Sequence, residues 1–132
     1  MDNPLQEAYE KAIYQINEPQ IALQVGKANE ALIELLQKKK AATWAIITAV
    51  NPGSVILDEA DNQDRMKGLR KEVSPFLFLA GRALDPEGQW PAEENLLVLG
   101  IGKEEAIRLG RKWQQNAILF GRKEGKGELV WL

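Results

Sequence analysis

The chain is 132 residues long and carries 17 Lys and Arg against 19 Asp and Glu, a net charge of −2. That size suits one domain with its own core, and that balance argues against a nucleic-acid binder, whose phosphate contacts draw on a basic surplus. It contains no His and no Cys, which removes the usual general base at neutral pH, the thiolate nucleophile and the ligands of most zinc sites.

In chain order, Asn3 is placed as an N-cap, Pro4 as the first helical residue and Gln6 as its capping-box partner. Leu5, Ala8, Tyr9, Ala12, Ile13 and Ile16 then follow one apolar stripe, predicting a helix that ends before Asn17-Glu18-Pro19. Residues 21–25 read as a short strand ended by Gly26. A second helix runs from a cap at Asn29 to Lys38, Lys39 and Lys40, cations that complement the helix C-terminus. Residues 43–50, apolar and β-branched throughout, predict a central strand buried on both faces. It stops at Asn51-Pro52-Gly53-Ser54, where Pro-Gly suits a type II turn. Asp58 caps a third helix to Val73. Strands are predicted over 76–79 and 95–101, a turn at 85–88, a helix over 103–113, and a closing hairpin from 116–120 and 128–132.

From Trp44 to Phe120 the order is strand, helix, strand, strand, helix, strand. This is the split βαβ arrangement of a ferredoxin-like α+β sandwich. The expected organisation is one α+β domain over 1–132: an N-terminal extension (1–40) of two helices and a short strand, and a core (41–132) with an extra C-terminal strand. The first residues lack a basic and then apolar leader, and no apolar run reaches bilayer length, so the expectation is a cytoplasmic protein with no membrane partner.

Three polar clusters stand out. Asn62 shares the stripe of Met66, Leu69 and Val73, with Arg65 flanking it. A polar pair turned toward a core needs partners, either backbone carbonyls of the 51–52 turn or a ligand. Arg82, Asp85, Trp90, Glu93 and Glu94 surround the loop between two predicted strands. That loop either packs itself down or forms a site, with Glu93 or Glu94 pairing with Arg65 or Arg82. Gln114, Gln115 and Asn116 follow the last helix, where amides satisfy helix C-terminal carbonyls. Asn116 starts a strand while Asn51 ends another, and nothing in the spacing sets them at the same edge. The ligand-binding candidates are therefore Asn51, Asn62, Arg65, Arg82, Trp90, Glu93, Gln115 and Asn116. No catalytic residue, metal ligand or cofactor is assigned: Gly100-Ile101-Gly102 lacks the third glycine of a dinucleotide fingerprint, and Gly102-Lys103 lacks the rest of a P-loop.

Several blocks carry a resemblance: residues 21–26; Trp44 through Asn51-Pro52; Trp90-Pro91-Ala92-Glu93; residues 109–118; and Glu128 to Leu132. Together they are similar to the bacterial family known as domain of unknown function 3293, over nearly the whole chain. Val50 and Trp113 depart mildly from the pattern, and 76–79 is more apolar than the family habit. The resemblance implies a small bacterial protein and brings no activity, ligand or catalytic residue.

Three functions fit these residues. The first is a non-enzymatic binding module for a small anion, nucleotide or peptide, because Arg and Asn suit carboxylate and phosphate recognition. It expects Asn62, Arg65, Arg82 and Trp90 to converge on one pocket. The second is a homo-oligomeric interaction or regulatory protein that uses a sheet edge or the N-terminal helix. The third is an enzyme with Glu93 or Asp85 as acid or base, and it carries the least weight.

Overall fold

The run Thr43-Trp44-Ala45-Ile46-Ile47 forms strand β3 (Thr43–Ile47), and Trp44 to Ile47 are buried. It holds the central position its composition predicts, antiparallel to β5 (Glu93–Leu99) on one side and β6 (Ala117–Arg122) on the other. The computed structural model describes residues 5–132. The remaining elements are α1 (Gln6–Lys11), β1 (Ile13–Ile16), β2 (Ile21–Leu23), α2 (Glu30–Lys38), α3 (Glu59–Glu72), β4 (Leu77–Leu84), α4 (Lys103–Lys112) and β7 (Gly127–Trp131), with one 3-10 turn at Pro52–Ser54. The architecture is α+β: one seven-stranded antiparallel sheet in the order β2-β1-β4-β5-β3-β6-β7. Among the described residues, no helix is long and apolar enough to cross a membrane.

The sheet curls. Beyond β2, Gly26 N–H donates to Gly127 O (2.9 Å) and Asn29 N–H to Gly125 O (3.2 Å), with an antiparallel bridge between Ala28 and Lys126. These bonds tie the β2 side of the sheet to the start of β7, so part of the edge expected to be open to a second copy is used within the chain.

Each face has its own core. On the inner face, Tyr14, Ile16, Leu23, Trp44, Ile46, Leu97, Leu99 and Leu119 pack with Leu32, Leu35 and Leu36 of α2. Asn29 caps α2 as predicted, its Oδ1 accepting from Leu32 N–H at 3.0 Å. Each fully buried Leu or Ile there contributes about 1.5–3 kcal/mol. On the outer face, Ala45, Ile47, Leu96, Val98, Ile118 and Phe120 meet Met66 and Leu69 of α3 and Ala106 and Leu109 of α4. Asp58 caps α3, accepting from Asp61 N–H at 2.8 Å.

The N-terminal segment differs from its helical prediction. The helix ends at Lys11, and residues 13–16 form strand β1, paired with β2 and β4. Asn3 and Pro4 lie outside the described residues. Tyr14 and Ile16 are buried at a spacing of two, which a strand satisfies. The apolar stripe fitted both periods over so short a stretch, and pairing with β4 decided between them. β4 is also longer than predicted, reaching Leu84 along its full pairing with β5. At the 51–54 turn, Gly53 adopts φ 59°, the sign that the third position of a type II turn requires.

Candidate functional site

The inner face of the sheet is not filled throughout. Between α1, the Trp90-Pro91 loop and strands β1, β3, β5 and β6 lies a cavity of about 260 Å³. Its walls are mainly apolar: Ala8, Ala12, Ile46, Ala83, Leu119 and Leu129 all contribute. Tyr9, Tyr14 and Trp90 add aromatic surface, and Asn51, Glu93, Asn95 and Asn116 add polar groups. A concave, mainly apolar space with a few convergent polar side chains is the usual form of a small-molecule site.

Strand alternation explains why the polar groups meet. Glu93, Asn95, Leu97 and Leu99 fall on one side of β5, and Leu97 and Leu99 belong to the inner core, so Glu93 and Asn95 face the cavity. Glu94 points the other way and pairs with Arg70 of α3. Register explains the rest. Because β3 and β6 are antiparallel with Ile46 opposite Leu119, the end of β3 meets the beginning of β6. Asn51 and Asn116 therefore reach the same end of the cavity, a convergence their sequence spacing did not reveal.

Asn51 is the junction of this end. It takes a left-handed conformation (φ 49°), which Asn tolerates better than most residues. Its N–H donates to Asn62 Oδ1 (3.0 Å), and its Oδ1 accepts from Asn62 Nδ2 (2.9 Å) and from Leu57 N–H (2.9 Å). Its Nδ2 donates to Glu93 Oε2 at 2.9 Å. Beside it, Asn116 Nδ2 donates to Ser54 Oγ at 2.7 Å.

Burial raises the Glu93 carboxyl above its ordinary range, and the hydrogen bond from Asn51 offsets part of that rise. Burial likewise pushes the Tyr9 phenol up, with Asn116 and Ser54 beside it acting in the opposite direction. Tyr14 is raised as well, again by burial first and then by the nearby Tyr9 and Glu93. No Lys or Arg stands among the described residues that line the cavity.

Asn95 is the most unusual member. It is 2% exposed, and its Oδ1 has no hydrogen-bond partner among the described residues. Most buried polar atoms are paired, and one left unpaired costs about 1–3 kcal/mol.

The predicted site residues separate into two groups. Asn51, Trp90, Glu93, Gln115 and Asn116 line the cavity. Asn62, Arg65 and Arg82 do not, so the expected convergence of Asn62, Arg65 and Arg82 with Trp90 does not occur. Arg65 instead clamps two chain segments: its Nε donates to Ala49 O (2.6 Å) and its Nη2 to Trp113 O (2.6 Å), with the guanidinium 5.3 Å from the Trp113 ring centre. Asn62 holds Asn51. Both therefore make the contacts of the structural alternative, tying α3 to the turn after β3. Arg82 is exposed on β4. The suggested pairing of Glu93 or Glu94 with Arg65 or Arg82 is replaced by Asn51–Glu93 and Arg70–Glu94. Gln115 has a structural task too, its Nε2 donating to Val50 O and Trp113 O, each at 3.1 Å. The Asp85 carboxylate accepts the N–H groups of Glu87 (2.9 Å) and Gln89 (2.7 Å), which occupies it in its own turn.

Sequence reasoning missed Tyr9, Tyr14 and Asn95. Tyr14 was hidden by the helical reading of its segment. Asn95 carried a usable signal, since it opens the apolar run Leu96-Leu97-Val98-Leu99 and sits on one face of a strand buried on both.

A family model described as protein of unknown function (DUF3293) matches residues 47–118, more than half of the chain. The chain belongs to this family. The matched DUF3293 segment runs from the end of β3 to the start of β6 and contains Asn51, Asn62, Arg65, Trp90, Glu93, Asn95, Gln115 and Asn116. It leaves α1 and β1, with Tyr9 and Tyr14, outside. No curated protein and no solved structure matches the chain.

Proposed function

We propose that this protein is a binding module whose ligand is a small molecule with a largely apolar body, held in the cavity on the inner face of the sheet. The observation that carries this reading is the cavity itself, a mainly apolar space on which Tyr9, Trp90, Glu93 and Asn116 converge from separate elements. The expected anionic ligand is replaced in this reading, because the arginines stand elsewhere and the cavity's charged groups are carboxylates. The core is proposed to be ferredoxin-like, supported by the order β4-β5-β3-β6 with α3 and α4 packed on one face. A single-domain organisation, a bacterial origin and a cytoplasmic setting belong to the same proposal and rest on the sequence reading.

The test is a fragment screen against isotopically labelled protein, followed by backbone amide shifts. Hits are expected to move β1, β5 and residues 115–119 together, and Ala83→Leu, which narrows the cavity, is expected to abolish them. Shifts confined to the α3–α4 face, or hits that survive Ala83→Leu, contradict the reading.

A second reading, self-association, is supported by Val55 and Ile56, which are 62% and 75% exposed beside the cavity mouth. Adjacent exposed aliphatic residues on a loop favour an interface. Light scattering across a concentration series checks it: a dimer lost in Val55→Ser/Ile56→Ser supports it, and a monomer at every concentration excludes it.

A further inference from the structure

We propose that the cavity recognises an organic ammonium, a small amine with an apolar or aromatic body whose nitrogen lies against Glu93. This rests on the cavity being a ligand site and names the chemistry of what enters it.

Three independent features of the cavity lead there. The first is the acceptor set. Glu93 faces the cavity from β5. Among the described residues its carboxyl is hydrogen-bonded to the neutral amide of Asn51, at Oε2, which leaves Oε1 for a ligand donor. An ammonium supplies that donor with a positive charge, whereas a hydroxyl supplies an uncharged one and a carboxylate none.

The second is charge. A half-buried carboxylate is commonly paired with a cation, and Glu93 is half-buried. Glu93 forms no ion pair among the described residues, although Glu94 on the opposite face has Arg70. No Lys or Arg stands among the described residues that line the cavity, so a cationic ligand is what would supply the counter-charge. A phosphate or carboxylate placed there would face Glu93 without compensation.

The third is the wall. Tyr9, Tyr14 and Trp90 line the same space. Aromatic faces attract a cation through the ring quadrupole and also bury an apolar body. One lining thus serves both halves of an arylalkyl or alkyl amine.

The test uses the full chain and three probes of similar shape: 2-phenylethylamine, 2-phenylethanol and phenylacetate, titrated by calorimetry at neutral pH. The amine is expected to bind roughly tenfold more tightly than the alcohol, the difference between a charge-assisted and a neutral hydrogen bond, and phenylacetate is expected to be weakest. In Glu93→Gln, which keeps the shape and the acceptor for Asn51, the amine's advantage over the alcohol is expected to vanish. Equal affinity for amine and alcohol in the unmodified protein, or an amine advantage unchanged by Glu93→Gln, overturns the ammonium proposal and leaves the cavity reading standing. Failure of all three probes to bind overturns both.

Discussion

Asn51 and Asn62 exchange two hydrogen bonds, backbone N–H to side-chain oxygen at 3.0 Å and side-chain nitrogen to side-chain oxygen at 2.9 Å. Through this pair, α3 on the outer face fixes the residue whose Nδ2 holds Glu93 on the inner face. A helix on one side of the sheet thereby orients a carboxyl group in the cavity on the other. Asn62→Ala leaves the Asn51 N–H and Oδ1 short of partners. It is expected to cost about 1–3 kcal/mol in urea unfolding and to weaken cavity binding, because Asn51 then loses its fixed orientation.

Arg65 gives the contrasting case. Its two carbonyl contacts, to Ala49 and Trp113, hold the end of β3 against the turn after α4. Lysine lacks the planar fork that spans both carbonyls. Arg65→Lys is expected to cost about 1–3 kcal/mol of stability, with unchanged affinity for a cavity probe once folded protein is compared at equal concentration. A loss of affinity without a loss of stability would assign Arg65 to a site after all.

Asn95 reverses the usual sign of a core substitution. Removing a paired polar group destabilises, but its Oδ1 has no partner to lose. Asn95→Val, suited to a strand interior, is expected to raise stability by about 1 kcal/mol in denaturant unfolding.

Glu93 gives a pH signature. Burial raises its folded-state pKa above the ordinary 4.5, so the folded protein holds this proton more tightly than the unfolded chain does. Its favourable contribution is full below the ordinary value and is lost as pH rises through the raised one. The other titratable side chains facing the cavity are Tyr9 and Tyr14, both shifted upward, away from this window, while the neighbouring Glu94 turns to Arg70 on the other face. Glu93→Gln does not titrate. Its melting temperature is therefore expected to exceed that of the unmodified protein at neutral pH and to converge with it at acidic pH. A gap that widens on acidification contradicts the assignment.

Gly68 tests the outer face. A Cβ placed on it would lie 2.5 Å from the Trp113 ring. Alanine is the better helix former by about 1 kcal/mol, yet Gly68→Ala is expected to destabilise by about 1–3 kcal/mol, because Trp113 is held beside Arg65 and cannot easily withdraw. Thermal unfolding decides the sign.

The fold was legible wherever one local signal spoke alone. Asn29 and Asp58 mark the starts of α2 and α3 because a side-chain oxygen at a helix N-terminus has few other uses. The β-branched run of β3 needs a fully buried place. The signal failed at residues 13–16, where four residues fit both helix and strand periods and only pairing with β4, over sixty residues away in sequence, settles the matter. The candidate site was half legible for the same reason. Asn51, Trp90, Glu93 and Asn116 stand out as polar or aromatic residues at turns, but their meeting depends on strand register and curl. Arg65 and Asn62 were visible as polar residues facing a core. Both the structural and the ligand reading predicted that position, and only the partners distinguish them.

The central claim is that a ligand occupies the cavity, and the side-chain amide of Asn95, in its wall, reports on it directly. In a nuclear magnetic resonance titration with 2-phenylethylamine, the Asn95 side-chain NH2 resonances, assigned through their loss in Asn95→Val, are predicted to shift saturably with the affinity measured by calorimetry. Resonances that stay fixed while the amine saturates another part of the protein would contradict the account.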